Sequence, residues 1–323
     1  MIEKILQENP NRFTLLPIQY PEIWKLYKEM QATVWFVEEL SFSDDLKDWA
    51  KMTESEKHFV KMILAFFASA DAIVNENICQ NFATEIQIPE ARAVYSFQIM
   101  MEQVHSETYA LLIDSYIKDP IEKDKLFRAI HTIECVKKKS DWAMKFINNK
   151  NKSFATRLVG FACVECIQFS SSFCAIFYLK TRNLLTKGLG VSNNFISRDE
   201  AGHVRFACLL YSMLDYKLDS SEVYEIVCEC VELEKNFATD ALPVSLIGMN
   251  CAEMCKYIEF VGDYLLVLLG YQKIYKTENP FNFMMMLSLN SKENFFEQTV
   301  SQYNKAGFVG TKEENMFQTD ADF

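Results

Sequence analysis

The sequence predicts an all-α fold in the form of one large helical bundle. The chain of 323 residues contains only 9 glycines and 7 prolines. β-Sandwiches, barrels and glycine-rich phosphate-binding folds need more turn residues than that. Hydrophobic residues make up 50% of the chain and aromatic residues 14%, which is enough apolar surface for a large buried core. Long stretches also repeat their apolar residues at the helical period.

The predicted helices follow one another from residue 21 to residue 269. Asn9–Pro21 is expected to be irregular, because three prolines interrupt it. Thr53 and Glu56 predict a capping box at the start of the second helix, and Pro89 and Pro120 suit the first turn of two later helices. The predicted helices are Pro21–Glu39, Thr53–Ala83, Pro89–Tyr116, Pro120–Asn148, Ser153–Arg182, Phe195–Tyr216, Ser220–Thr239 and Met249–Leu269.

The remaining segments are predicted to lack helical structure. Lys187–Asn194 holds two of the nine glycines and is predicted to be a loop. The apolar pattern fades beyond Phe281, and Ser301–Phe323 is polar with acidic residues at its end. We therefore predict one helical domain over residues 1–300 and a flexible tail over residues 301–323.

The charge balance and the cysteines restrict the class of protein. The chain has a formal net charge of −11 at pH 7, which repels polyphosphates and excludes nucleic acid as a predicted partner. The sequence starts without the basic and apolar regions of a secretory signal. Ten cysteines scattered through such a chain are typical of free thiols in a reducing compartment, so we predict a cytoplasmic protein.

One segment is long and apolar enough to cross a membrane. Leu158–Leu179 contains 22 residues and a single charged one, Glu165. It also contains Gln168 and the triplet Ser170–Ser172, and polar groups are costly in lipid. We therefore predict a buried helix of a helical bundle and no membrane partner.

Two of the four histidines lie in the pattern Glu-x-x-His. Glu102 precedes His105 by three residues, and Glu200 precedes His203 by three. Residues three apart share one face of a helix, so each pair is spaced to bind a single metal ion. Each pair alone is equally compatible with a surface acid and an ordinary half-buried histidine.

Two further carboxylates favour a metal centre. Asp71 lies between apolar runs, Glu165 is the one charge in its segment, and neither has a lysine or arginine nearby in sequence. An ionised carboxylate in such surroundings needs a partner or stays protonated. Four carboxylates carry a charge of −4, which two ferric ions bridged by an oxide would neutralise, and hard oxygen ligands with two imidazoles suit iron or manganese. One carboxylate from each of two helices and Glu-x-x-His from two others is the ligand set of ferritin-like dimetal proteins.

Tyr109 lies on the same helical face as the first pair. It follows His105 by four residues and Glu102 by seven. A tyrosine at this spacing is most often a core residue. The alternative is a redox role, since a phenol beside a dimetal centre that activates oxygen can lose one electron.

The chain resembles the small, radical-generating subunit of class I ribonucleotide reductase of the eukaryotic and poxvirus type. The similarity runs from Asn9 to the last residue. The motifs that identify it are Leu64-Ala65-Phe66-Phe67-Ala68, Ile73-Val74-Asn75-Glu76-Asn77, His105-Ser106-Glu107 with Tyr109, Leu111-Leu112-Ile113-Asp114, Ile196-Ser197-Arg198-Asp199-Glu200, Leu246-Ile247-Gly248-Met249-Asn250 and Thr319-Asp320-Ala321-Asp322-Phe323.

The resemblance implies a role for each site residue. Tyr109 matches the tyrosine that stores the radical, and Trp35 and Asp199 match the residues that, with His105, transfer it towards the surface. Tyr303 matches the tail tyrosine that passes the oxidising equivalent to the large subunit. The six dimetal ligands implied are Asp71, Glu102, His105, Glu165, Glu200 and His203.

The resemblance also implies partners. Phe317–Phe323 resembles the peptide that docks on the large subunit, and a terminal phenylalanine with acidic residues suits peptide recognition. A homodimer, or a heterodimer with another small subunit, is expected. We predict a ribonucleoside-diphosphate reductase subunit whose two iron ions, or manganese, activate oxygen to form the radical. The alternative is a divergent paralogue that stabilises an active small subunit without forming its own radical.

Overall fold

The computed structural model of the chain describes residues 3–147, 149 and 151–284. Within these residues the structure is helical and contains no β-strand. The α-helices are α1 (Pro21–Gln31), α2 (Leu46–Lys51), α3 (Glu54–Asn77), α4 (Pro89–Tyr116), α5 (Pro120–Phe127), α6 (Glu134–Ile147), α7 (Phe154–Cys163), α8 (Ser170–Thr181), α9 (Leu189–Ser212), α10 (Ser220–Asn236) and α11 (Cys251–Leu268), with short turns at Ala83–Glu85 and Ala129–Thr132.

Shorter elements interrupt these helices. Three π-helical segments occur in the described part of the chain, and one of them, Val164–Gln168, joins α7 to α8. The others are Ile78–Phe82 and Phe237–Ala241, and the 3-10 turns are Lys4–Leu6, Val37–Glu39, Ser43–Asp45 and Val244–Ile247. A π-helical segment widens the helix by one residue and is frequent at functional sites.

Local signals account for where several helices begin. Thr53 caps α3 as predicted: its hydroxyl accepts from the Glu56 N–H at 3.2 Å, and its own N–H donates to the Glu56 carboxylate at 2.8 Å. Pro89 and Pro120 stand in the first turns of α4 and α5, where a missing N–H costs nothing.

The chain through Phe281 packs into one compact unit around a buried core. Helices α3 and α4 form the most extensive contact, α9 packs on α7 and α8, and α10 packs on α11. Four of these elements contribute the candidate ligands: α3, α4, the π-helical segment Val164–Gln168 and α9. The predicted domain boundary at residue 300 and the tail over residues 301–323 lie outside the described residues.

Two helical stretches are long and apolar enough to cross a membrane, Glu54–Glu85 and Phe154–Thr181. The apolar window of the second is 94% buried inside the protein, and that of the first is 61% buried. Packing within the bundle therefore accounts for their hydropathy. The predicted buried helix around Glu165 is confirmed.

Three predicted boundaries were wrong. The predicted helix Pro21–Glu39 ends at Gln31, because the chain then turns so that Trp35 enters the core. The predicted helix Pro120–Asn148 divides into α5, a short turn and α6, and Asn148 lies outside the described residues.

The third error is the predicted loop Lys187–Asn194, most of which is helical, because α9 begins at Leu189. The side chain of Asp45 accepts hydrogen bonds from the backbone N–H groups of Lys187, Gly188 and Leu189 at 2.8 to 3.0 Å. This cap comes from a residue more than 140 positions away, so no local pattern predicts it.

Candidate metal centre

The six predicted ligands lie together in the core. Each residue is at most 2% exposed to solvent, and together they come from α3, α4, the π-helical segment Val164–Gln168 and α9. They form two groups that share one carboxylate, and the ligand atoms within each group lie within 4.8 Å of one another. The first group is Asp71, Glu102 and His105, and the second is Glu102, Glu165, Glu200 and His203. The shared Glu102 places two metal subsites side by side.

Carboxylate oxygens surround both imidazoles. His203 Nδ1 lies 2.9 Å from Glu200 Oε2 and 3.1 Å from Glu102 Oε1. His105 Nδ1 lies 3.1 Å from Glu200 Oε1, and the two rings are 6.2 Å apart between centroids. The two subsites therefore share a single buried space.

The polar atoms of the site fit a bound cation. In the part of the chain that the structure describes, each of the six side chains has a buried nitrogen or oxygen atom that lacks a well-directed hydrogen bond. These atoms are Asp71 Oδ2, Glu102 Oε2, His105 Nδ1, Glu165 Oε2, Glu200 Oε1 and His203 Nε2. Unpaired buried polar groups are rare and costly. Oxygen and imidazole donors fit divalent iron or manganese.

The electrostatics also require positive charge at this position. Burial raises the pKa of Asp71 well above its ordinary value, and the nearby Glu102 adds to the rise. Burial and the carboxylate of Glu200 do the same to the pKa of Glu165. The described charged groups around them are mainly other carboxylates, so protons or metal ions must compensate the charge.

The histidines respond in the opposite direction. Burial alone would lower the pKa of His105, but its contacts with Asp199 and Glu102 outweigh burial and raise it well above the ordinary value. The pKa of His203 is likewise raised, because Glu200 and Glu102 outweigh burial. The raised pKa favours the doubly protonated imidazolium form of both rings, and a metal ion would compete with a proton for the ring nitrogen.

Tyr109 lies in an aromatic pocket beside the first group. Its ring is 2% exposed and stacks on Phe67 with 4.7 Å between centroids and 9° between planes. Phe67 in turn contacts Phe173 at 4.9 Å and Phe169 at 5.8 Å. Burial raises the pKa of Tyr109 well above its ordinary value, and Asp71 is the strongest charged contributor. The pocket is buried and lined by aromatic rings, and the raised pKa favours the neutral phenol form of Tyr109.

Trp35 and Asp199 connect the metal centre to another part of the core. Trp35 Nε1 donates a hydrogen bond of 2.7 Å to Asp199 Oδ2, and His105 Nε2 lies 3.1 Å from the same oxygen. The indole also stacks on the His105 ring, with 6.0 Å between centroids. Residues from α4, α9 and the irregular stretch after α1 thus form one buried chain. Tyr303 and Phe317–Phe323 lie outside the described residues.

Two contacts at the site were not predicted. Gln98 is fully buried one turn before Glu102, and its Nε2 donates to Glu165 Oε1 at 3.2 Å. Its position in the apolar stretch Phe97–Met101 is the signal that could have identified it. Arg198 partly balances Asp199, with 3.3 Å between Nη2 and Oδ1, and also donates to the Thr33 carbonyl at 2.6 Å.

The cysteines are not part of the centre. All ten are free thiols. Burial raises the pKa values of Cys163 and Cys166, the pair with CxxC spacing, well above the ordinary value. Thiols in this state are poor nucleophiles.

Comparison with known proteins agrees with this geometry. Residues 12–280 match the family model described as ribonucleotide reductase, small chain. The chain belongs to the ribonucleotide reductase small-chain family. It is 52% identical to the ribonucleoside-diphosphate reductase small chain of Trypanosoma brucei brucei, over 99% of this chain and 95% of that protein. It is 50% identical to human ribonucleoside-diphosphate reductase subunit M2, over 99% of this chain and 82% of that protein.

A solved structure of the family has the same fold. The Rnr4 homodimer of Saccharomyces cerevisiae superposes with a TM-score of 0.82 at 37% identity, over 94% of this chain and 93% of that chain. The predictions of an all-α, ferritin-like bundle and of this family are therefore confirmed.

Proposed function

We propose that the chain is the small subunit of a ribonucleoside-diphosphate reductase, an oxidoreductase. In this proposal the chain forms and stores a radical on Tyr109, and a large subunit uses it to reduce ribonucleotides to deoxyribonucleotides. The single observation that carries the proposal is the position of Tyr109 in a buried aromatic pocket beside six buried, ligand-type side chains.

The metal centre would be held by two groups of residues. Asp71, Glu102 and His105 would bind one ion, and the other would be held by Glu102, Glu165, Glu200 and His203. We propose two iron ions, with manganese as the alternative that the same donors accept. When bound in the ferrous state, such ions would supply two of the four electrons that reduce dioxygen to the level of water, a nearby phenol would supply the third, and an external one-electron reductant would supply the fourth.

The chain's own residues prepare Tyr109 for that oxidation. The raised pKa keeps the proton on Oη, so loss of an electron from the ring must be accompanied by loss of that proton. The carboxylate of Asp71 is the strongest charged influence on the phenol, and its negative charge raises the pKa of Tyr109 further because it disfavours a phenolate. Phe67 covers one face of the ring and excludes water and reductants, which would prolong the life of a radical.

The hydrogen-bonded chain of Trp35, Asp199 and His105 would conduct the oxidising equivalent. Asp199 Oδ2 accepts the Trp35 N–H and faces His105 Nε2, so it can take or return a proton as an electron moves. Beyond the described residues, we propose that Tyr303 passes the equivalent to the large subunit and that Phe317–Phe323 docks there.

The proposal includes the assembly and the location. We propose a dimer of small subunits, supported by the homodimeric state named for the yeast relative, in the cytoplasm, which suits ten free thiols. The alternative, a structural paralogue that forms no radical, is disfavoured because all six ligand-type residues are present and gathered.

Electron paramagnetic resonance tests the proposal. The purified chain is reconstituted with ferrous iron and air, beside the variants Tyr109→Phe and Tyr95→Phe. Tyr95 is a matched control, since it is a fully buried tyrosine on the same helix α4. We expect a tyrosyl signal in the wild type and in Tyr95→Phe and no such signal in Tyr109→Phe. Metal binding without any signal in the wild type would refute the enzyme and support the structural paralogue.

A further inference from the structure

A buried lysine lies outside the candidate metal centre, in contact with the segment that contains one of its ligands. Lys139 of α6 is 1% exposed, and its Nζ lies 2.7 Å from Glu234 Oε2 of α10, which is itself fully buried. The ammonium also lies 3.6 Å from the ring centroid of Phe66 and 4.0 Å from that of Phe237. The metal centre as described above does not use this pair.

Stability alone does not account for such a pair. Two charges lose their hydration when they are buried, and their mutual attraction often only balances that loss. Burial lowers the pKa of Lys139 and raises that of Glu234, and the partner opposes the shift in each case. An apolar pair of similar size would fill the same space, so the other contacts of the two side chains are informative.

Both side chains bind the junction between the π-helical segment Val164–Gln168 and α8. Lys139 Nζ donates a hydrogen bond to the backbone carbonyl of Gln168, the last residue of the π-helical segment. The Glu234 carboxylate accepts from the Ser171 hydroxyl and from the Ser171 backbone N–H in the first turn of α8. The first N–H groups of a helix have no partner within it, so Glu234 caps α8 from another helix.

The junction determines where two functional parts of the core lie. Glu165, a ligand of the second group, stands three residues before Gln168 in the π-helical segment. Phe169 follows directly and contacts both Phe66 and Phe67. The Phe67 ring stacks on Tyr109, and the Phe66 ring contacts the Lys139 ammonium. The ion pair therefore binds the backbone three residues after Glu165, and its ammonium contacts Phe66, which neighbours the Phe67 ring that stacks on Tyr109.

We propose that the Lys139–Glu234 pair is a positioning device that fixes the π-helical segment so that Glu165 completes the second metal subsite. The inference rests on the proposed dimetal function of the site. Lys139 and Glu234 are positioning residues, since they act through the backbone of Gln168 and Ser171 and touch no ligand atom. Gln98 positions the other end of Glu165 by a hydrogen bond to its carboxylate.

A metal titration separates positioning from general stabilisation. The full-length chain is loaded anaerobically with Mn²⁺, and electron paramagnetic resonance distinguishes a coupled ion pair from a single ion. The test variant is the double substitution Lys139→Met with Glu234→Leu, which removes both charges and leaves neither one unpaired. Outer contacts of metal sites typically change affinity by about 10- to 100-fold. We expect the second ion to bind more weakly by that factor, while the first subsite keeps its affinity.

A control of similar burial excludes loss of stability as the cause. Asp263 of α11 is 1% exposed and accepts hydrogen bonds from the backbone N–H groups of Ile274, Tyr275 and Lys276. We expect Asp263→Asn to lower the melting temperature and to retain the coupled Mn²⁺ pair. If it loses the pair as the double variant does, the effect is general and the inference is refuted.

A milder variant covers the case in which the double substitution does not fold. Ser171→Ala keeps both charges and removes only the hydroxyl that links Glu234 to α8. We expect a weaker second Mn²⁺ ion in this variant, with unchanged circular dichroism. Wild-type affinity for both ions in every folded variant would refute the positioning role. A wild-type chain that binds fewer than two ions would refute the dimetal proposal itself.

Discussion

The indole nitrogen of Trp35 and the carboxylate of Asp199 lie 2.7 Å apart although 164 residues separate them in sequence. The same Asp199 oxygen faces His105, so a single atom links the buried tryptophan to a ligand of the metal centre. Asp199 Oδ2 accepts a hydrogen bond from Trp35 and faces His105, so Asp199 lies between the tryptophan and the histidine. The proposed transfer route can therefore be tested by removing a single contact to Asp199 Oδ2.

Trp35→Phe removes the donor and keeps an aromatic ring. We expect metal content and the Tyr109 signal to be unchanged, and turnover with a large subunit to fall by about 10- to 100-fold, as for other outer contacts of metal sites. Trp142→Phe is the control, since Trp142 is also buried and its Nε1 has no hydrogen-bond partner among the described residues. Equal turnover for the two variants would contradict the route.

Asp71→Ala removes one ligand of the first group. We expect metal content to fall from two ions per chain towards one, because only Glu102 and His105 remain there. Metal analysis after gel filtration measures the change. Glu76→Ala, on the exposed side of the same helix α3, is the control and should keep both ions. A full complement in Asp71→Ala would show that this residue is not a ligand.

Metal binding should release protons. The raised pKa values of Asp71 and Glu165 mean that these carboxyls keep protons at a pH where exposed carboxyls have lost theirs, and both imidazoles are protonated over a wider range. Metal ligands must be deprotonated, so affinity should decrease as pH is lowered through that range. Calorimetry in buffers of different ionisation enthalpy counts the protons. Binding without proton release at pH 6 would contradict the shifts.

Deletion of Phe317–Phe323 tests the docking proposal, which concerns residues outside the described part of the chain. We expect turnover with a large subunit to be abolished and the metal content to be unchanged. A synthetic peptide of these seven residues should inhibit the intact enzyme, and a scrambled peptide of the same composition should not. Full turnover by the truncated chain would refute the assignment.

Tyr116→Phe tests the contact that holds the start of α9. Tyr116 Oη donates a 2.7 Å hydrogen bond to Asp45, the carboxylate that caps this helix. A hydrogen bond to a charged group is worth about 1.5–3 kcal/mol, and we expect the free energy of unfolding to fall by that amount. Tyr95→Phe removes a buried hydroxyl that has no partner among the described residues, so urea unfolding should show little loss for it.

The sequence predicted that the six ligand-type residues lie close together because its signals are local. Glu102 and His105 share a helical face by spacing alone, and the apolar surroundings of Glu165 are visible in the printed sequence. We predicted that four helices bring these residues together because the isolated carboxylates of Asp71 and Glu165 need a compensating charge. The helices predicted around these residues occur in the structure, since each of the six residues lies in a stretch with a clear apolar period.

The errors and omissions share a different cause. The start of α9 depends on Asp45, the end of α1 depends on where Trp35 packs, and the role of Lys139 depends on Glu234 almost a hundred residues later. These contacts form only after the chain has folded, and none leaves a periodic signal. Lys139 in particular stands in a run of three lysines that has the appearance of a solvated surface.

The stretch between α1 and α3 forms hydrogen bonds to α9 at two places. Trp35 is joined to Asp199 within α9, and Asp45 is joined to the backbone at its beginning. Electron tunnelling slows steeply with distance, so electron transfer between two side chains requires that the distance between them stays constant. Because both contacts reach the same helix, the indole of Trp35 has little freedom to move relative to α9. The separation between the Trp35 indole and the His105 imidazole should therefore change little while the bundle stays folded, as the proposed transfer route requires.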